Sequence, residues 1–305
     1  MVRTLYQRTV GVAAVLAGLA WAGPSRAGDA EAVSLQIGMV QGIFRDVQPG
    51  MVRALARPLQ DMIQKQTGFN GGVEIAADPF ILADRLDSKR YQFGVFHGFE
   101  FAWVKQKHPD FVPLAVTVPP GRKLQACVVV HVDSKMTCLA DLKDECVVLP
   151  RGTKAHCYAY LDRERAGLPA GTAKPRAKPP ANAEEALDAV VAGDAPAAVV
   201  DAAALAGYQS LQPGAFKQLR VLSKSESFPP TVVAYKKGAV DDETVEKVRQ
   251  LLTTAHQTPT GKPLMMLWNL KGFEDVPADY DVQLEKIGKA YPSPAPVAVT
   301  APTEK

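Results

Sequence analysis

Residues 147–162 read VVLPRGTKAHCYAYLD. An apolar run stops at Pro150, a short polar stretch follows, and a helical pattern begins. Arg151, Gly152, Thr153 and Lys154 therefore fall at a strand-to-helix turn. The first turn of a helix offers unpaired backbone N–H groups and the positive end of a dipole, which suits an anion. The plainer reading makes Thr153 an ordinary helix cap and Lys154 a solvated charge. His156 and Cys157 stand side by side, but neighbours on a helix point about 100° apart and cannot work as a nucleophile–base pair. The five histidines, His97, His108, His131, His156 and His256, show no HExxH or other ligand spacing. GxxxxGK[ST], GxGxxG, CxxC and CxxCH are all absent. The residues thus call for binding rather than catalysis, with no cofactor and no metal. A second candidate is FGVFHGFEFAW (93–103), where a strand ends at His97, Gly98 and Phe99. His97 could donate to an anion, Gly98 could let backbone approach a ligand, and Phe99 could equally be core.

The elements that must hold these residues alternate between β and α. SLQIGMV and GGVEIAA read as strands. Between them, residues 49–68 have apolar positions at helical spacing and end at Gly68, with Pro58 set to kink or divide the helix. DPFILADRLDS is a helix opened by Asp78 with Pro79 at its first position. Further on, LQACVVVHVDS and CVVLP are strands separated by a short helix in TCLADLKDE. NAEEALDAVVAGD and DDETVEKVRQLLTTAHQTP are amphipathic helices, the second with acids at its N-terminus. This alternation predicts an α/β protein with helices on both faces of its sheets. AGTAKPRAKPPAN (170–182) is expected to be a mobile surface loop. Residues 291–305 are expected to be a disordered tail.

The N-terminus has Arg3 and Arg8, an uncharged run TVGVAAVLAGLAWA, and small residues at Ser25 and Ala27. That order predicts a secretory signal over residues 1–27, cut after Ala27, with an uncleaved N-terminal anchor as the alternative. The apolar run is about 14 residues, short of the roughly 20 a spanning helix needs. The whole chain has 35 basic and 32 acidic residues. The signal contains Arg3, Arg8 and Arg26 and no acid, so the mature part balances at 32 of each. A formal charge of zero gives no electrostatic reason for a nucleic-acid partner. The four cysteines, Cys127, Cys138, Cys146 and Cys157, permit disulfides in an exported chain, in any of three pairings.

Several stretches, taken in order, resemble one family: LQIGMVQG, VEIAADPFILADRL, YQFGVFHGFEFAW, CLADLKDECVVLPRGT, AAVVDAAAL, ESFPPTVVAYKKG and GKPLMMLWNLKGFEDVPADYD. Over about residues 33–290 the chain resembles the periplasmic phosphate/phosphonate-binding proteins of ABC importers, the phosphonate-binding type within the type-II solute-binding fold. The resemblance implies two lobes joined by two crossover hinge strands, with the ligand between them. The first lobe would combine residues 33–121 with 228–290, and the second would be 122–227. PPG (119–121) and FPP (228–230) punctuate the chain where the crossovers belong.

In that family the helix after the second lobe's strand–proline turn receives the anionic head group. Arg151, Gly152, Thr153, Lys154 and His156 occupy that place here. Thr153 matches a hydroxyl position, while Lys154 and His156 depart from the small, Ser/Thr-rich pattern toward a more basic, bulkier seat. His97, Gly98 and Phe99 would face the cleft from the first lobe. Gln41 and Phe44, in the loop after the first strand, would border it. Phe80 stands where the family often has an aromatic hydroxyl. Asp201 would meet a ligand amine, orient the hinge, or simply cap the helix AAALAGY. The implied function is an extracytoplasmic, periplasmic solute-binding protein, monomeric and not an enzyme, that captures phosphate, phosphonate or a related small oxyanion and delivers it to an ABC permease. The alternative is a sensor or interaction protein that keeps the scaffold without transport.

Overall fold

A computed structural model describes residues 34–44, 49–121, 123–143 and 145–294. The expected signal (1–27) and residues 295–305 of the expected tail lie outside the described residues.

The strand pattern of SLQIGMV forms β1 (Ser34–Val40). Its alternate residues Leu35, Ile37 and Met39 are buried on one face. On the other face a side chain at Gly38 would run into Leu82 and Tyr91. A short 3₁₀ turn (Gln41–Phe44) leads to α1 (Pro49–Thr67), which continues through Pro58 as one helix. β2 (Asn70–Ala76), α2 (Pro79–Asp87), β3 (Phe93–Phe96), α3 (Gly98–Lys107) and β4 (Phe111–Val118) follow. Asp78 caps α2 as expected, accepting from the N–H groups of Phe80 and Ile81. The chain then crosses to β5 (Ala126–His131), β6 (Cys146–Val148), α4 (Ala155–Arg165), β7 (Lys174–Pro175), α5 (Ala183–Val191), β8 (Ala197–Asp201), α6 (Ala202–Leu211), α7 (Pro213–Phe216) and β9 (Leu219–Lys224). It returns through β10 (Val232–Lys236), α8 (Asp242–Thr254), α9 (Gly261–Leu267), β11 (Gly272–Glu274) and α10 (Tyr280–Ala290).

Two mixed sheets result. The first has the order β11-β4-β10-β3-β1-β2, and the second β7-β6-β8-β5-β9. β1 runs parallel to β2 and β3, whereas β10 runs antiparallel to β3 and β4. One face of the first sheet packs under α1 and α8 through Leu59, Met62, Ile63, Val248, Leu251 and Leu252. In the second sheet Cys127 and Val129 of β5 face Leu187, Val190 and Tyr208 on α5 and α6. The segments joining the sheets pair with each other. Thr117 N–H donates to Thr231 O (2.9 Å), Phe228 N–H to Leu124 O (2.8 Å), and Ser225 N–H to Ala126 O (2.9 Å). This is the two-lobed α/β architecture with two crossover strands.

Three expectations need correction. Residues 170–182 are not a free loop: Thr172 and Ala173 are buried, Lys174–Pro175 pair with Cys146–Val147, and Arg176 N–H donates to Val147 O. Proline cannot donate to a ladder, so β7 is confined to an edge, and its Pro/Lys/Ala composition hides it. The short helix in TCLADLKDE is a single 3₁₀ turn, Leu139–Leu142. Tyr291, placed in the tail by composition, is 4% exposed and packs on Phe228. The four cysteines are free thiols in this structure, with Cys127 and Cys157 buried.

Candidate functional site

α4 begins directly after the polar turn. Gly152 takes φ +69°, a conformation that costs other residues strain, and so reverses the chain after Pro150. Lys154 occupies the N-cap position without any side-chain cap bond, and the first turn of α4 contains no acid. The helix N-terminus is thus left with the free N–H groups that favour an anion. Thr153 is buried, and its hydroxyl donates to Pro150 O (2.6 Å). That bond fastens the turn that leads into α4, and Thr153 also borders the second cavity described below.

Asp201, at the end of β8, supplies the counter-charge. Its carboxylate accepts from Ala203 N–H (2.9 Å) at the start of α6. His156 Nε2 lies 2.9 Å from Asp201 Oδ2, and Lys154 Nζ lies 3.9 Å from Oδ1. His156 and Asp201 are both buried, at 5% and 8% exposure. Burial would raise the Asp201 carboxyl, but the close His156 ring and the nearby Lys154 ammonium outweigh it and hold the group below its ordinary 3.8. Asp201 is therefore an anion at neutral pH. It steers His156 and partly neutralises Lys154, and it caps its own helix as the plainer reading expected.

The first lobe presents His97, the residue before α3. Glu100 accepts from its N–H (3.3 Å), and its ring stacks on Phe99 with centroids 5.7 Å apart. Phe99 is buried and meets Phe228 of the return crossover edge-on, and Phe228 in turn lies 5.4 Å from the His156 ring. Aromatic contacts thus run from His97 through the hinge to His156. Gly98 is tight for a reason other than a ligand. A Cβ there would meet the Pro229 carbonyl and sit 2.6 Å from Pro229 Cβ, so its small size admits the hinge strand.

Two cavities meet these groups. One, of about 200 Å³, has His97, Thr117, Thr231 and Asn269 from the first lobe and Lys154, Ala155 and His156 from the second among its walls. The other, of about 320 Å³, is bounded by Pro150–Lys154, Asn182, Asp201 and Asn269. His97, Lys154 and His156 therefore come together at the first cavity, and Arg151, Gly152, Thr153, Lys154 and Asp201 at the second. Gln41 is exposed on the turn after β1, and Gly42 of that turn packs against His97. Phe44 closes the turn, and its side chain lies outside the described residues. Phe80 is not brought to either cavity; its ring sits under Lys107 Nζ at 4.9 Å. Asn269 was missed by sequence reasoning. It takes φ +50°, a conformation asparagine tolerates better than most residues, within a WNLKGF stretch that sequence reading treated only as a family marker.

Two lobes, two crossing strands and a cleft fed by an uncapped helix N-terminus define a solute-binding protein. The chain belongs to the phosphonate ABC transporter periplasmic substrate-binding protein family, whose model matches residues 42–280. Proteins of this family bind a small ligand and work with an ABC permease. Among solved structures the chain is similar to XAC2383 from Xanthomonas citri bound to chloride ion, at 16% identity and TM-score 0.61, over 85% of this chain and 97% of that one. It is similar to PhnD1 from Prochlorococcus marinus (MIT 9301) in complex with methylphosphonate, at 12% identity and TM-score 0.55, over 84% and 97%. A third is the binding protein component of an ABC phosphonate transporter (PA3383) from Pseudomonas aeruginosa, at 15% identity and TM-score 0.55, over 84% and 86%. No curated protein sequence matches the chain.

Proposed function

We propose that this protein captures a phosphonate, phosphate or related small oxyanion with the N-terminus of α4, Lys154 and His156, and carries it to its permease as a monomer. The observation that carries the reading is one cavity walled from both lobes, with His97 and Asn269 facing Lys154, Ala155 and His156. An oxyanion there would exchange water for the free N–H groups of Ala155 and His156, the Lys154 ammonium and the amide of Asn269. Arg151 and Gly152 would border the head group, and Thr153 would fix the turn. The moving bodies are taken as residues 33–121 with 228–290, and 122–227. They would close about the paired crossovers, a hinge motion of a common kind. The chain would reach the periplasm by a signal cleaved after Ala27. Its balanced mature charge favours neither nucleic acid nor an anionic surface.

The test is thermal unfolding of residues 28–305 with methylphosphonate, phosphate, sulfate and chloride. A ligand at 100 times its Kd stabilises the folded state by about 2.7 kcal/mol. A rise in Tm of several degrees with one phosphorus oxyanion, absent with chloride at equal ionic strength, is expected. No rise with any oxyanion up to millimolar concentration would overturn the reading.

A further inference from the structure

The cavity that meets Lys154 and His156 does not stop at the cleft. It continues along one face of the first sheet, between Phe93 and Val95 of β3 and the helices above, where Leu59, Ile63, Val248 and Leu252 close it. Phe93 and Val95 alternate along β3 and His97 follows just past its end in extended backbone, so the apolar wall leads directly to the polar mouth. Close-packed interiors hold few voids larger than a water molecule. An apolar cavity of roughly 150 Å³ is already enough to take up benzene, and this one is about 200 Å³. A methyl group on an oxyanion held at the mouth would leave most of that space empty. Sites of this kind, apolar with a few convergent polar groups at one end, select a ligand of the same two-ended character.

We propose that the ligand is an anionic amphiphile: a phosphonate or phosphate monoester whose alkyl or aryl group, of about six to eight carbons on the benzene scale, fills the apolar cavity of the first lobe while its head group rests at Lys154 and His156. This rests on the oxyanion reading above and adds the chemistry of the other end of the ligand. The apolar end accounts for a deep cavity opening on a polar mouth at Lys154 and His156, which a bare oxyanion does not.

The experiment is calorimetric titration of residues 28–305 with methyl-, butyl- and hexylphosphonate, and with 1-hexanol, at one pH and ionic strength. Burying a methylene strengthens binding by about fourfold, so hexylphosphonate is expected to bind at least about a hundredfold more tightly than methylphosphonate. In Val248→Phe and, separately, Ile63→Phe, each filling part of the cavity, the hexyl-to-methyl affinity ratio is expected to fall toward one, with near-ultraviolet circular dichroism reporting the fold. Trp268 lines the same cavity, so its fluorescence should change with hexylphosphonate and not with methylphosphonate in the unsubstituted protein. Equal affinity for the three phosphonates would overturn the amphiphile inference and leave the oxyanion reading standing. Binding of 1-hexanol as tight as that of hexylphosphonate would overturn the oxyanion reading, because the head would then contribute nothing.

Discussion

Replacing Asp201 separates its cap from its charge. The carboxylate accepts one backbone N–H at the start of α6 and faces the His156 ring at 2.9 Å and the Lys154 ammonium at 3.9 Å. Losing an N-cap acceptor costs about 1 kcal/mol. Leaving the buried His156 Nε2 without the carboxylate it faces costs about 1–3 kcal/mol. Asp201→Ala should therefore lower stability by about 3 kcal/mol, and Asp201→Asn, which keeps a cap acceptor, by about 2 kcal/mol. For a chain of this size 1 kcal/mol corresponds to roughly 2–4 °C in Tm, so the alanine variant should melt roughly 6–12 °C lower. The pH dependence has a definite sign. The folded carboxyl lies below its ordinary 3.8, so its stabilisation is complete above that value and is lost as pH falls through the lower folded value. Urea unfolding at pH 7, 5, 4 and 3.5 should show the gap between wild type and Asp201→Asn constant down to about pH 5 and closing below about pH 4. A gap smaller than 0.5 kcal/mol at pH 7, or one that widens in acid, would refute the assignment of Asp201 as an anion held by His156 and Lys154.

Three further outcomes follow from the packing. Glu226 accepts two bonds from Arg163 (2.9 Å each) and one from the Tyr291 hydroxyl (2.7 Å), tying α4 to the segment after α10 beside the hinge. Glu226→Gln should cost about 1–2 kcal/mol in urea unfolding. Gly98→Ala, which drives a methyl into Pro229, should cost about 1–3 kcal/mol by the same assay, the range for overpacking. Burial, with Asp201 nearby, pushes the Cys157 thiol well above its ordinary range, while Cys138 is exposed. In native protein at pH 8, iodoacetamide followed by mass spectrometry should find Cys138 modified and Cys157 intact.

The alternation of strand and helix made the α/β class legible, because Leu35, Ile37 and Met39 or Val248, Leu251 and Leu252 repeat at the period of their element. The polar turn before α4 was legible for the same reason: Pro150 and Gly152 mark it, and Lys154 and His156 follow at fixed offsets. What was not legible came from contacts distant in sequence. Residues 174–175 became a strand because β6 offered an open edge, against their composition. Tyr291 is buried by Phe228 and Arg163, neither of which lies near it in the chain. The bond from the Thr153 hydroxyl to Pro150 O depends on the fold of the turn and has no sequence signal of its own. Phe80 belonged to the right motif but faces Lys107. Asn269 joins the site because the loop after α9 lines the same cavities as the turn before α4.

The most direct test of oxyanion capture is calorimetric titration of methylphosphonate into residues 28–305 and into Lys154→Ala. Saturable one-to-one binding by the parent protein is expected, weakened at least about tenfold by the substitution, since a charge-assisted bond contributes about 1.5–3 kcal/mol. Binding of equal strength in the two proteins would contradict this expectation and move the anion away from the N-terminus of α4.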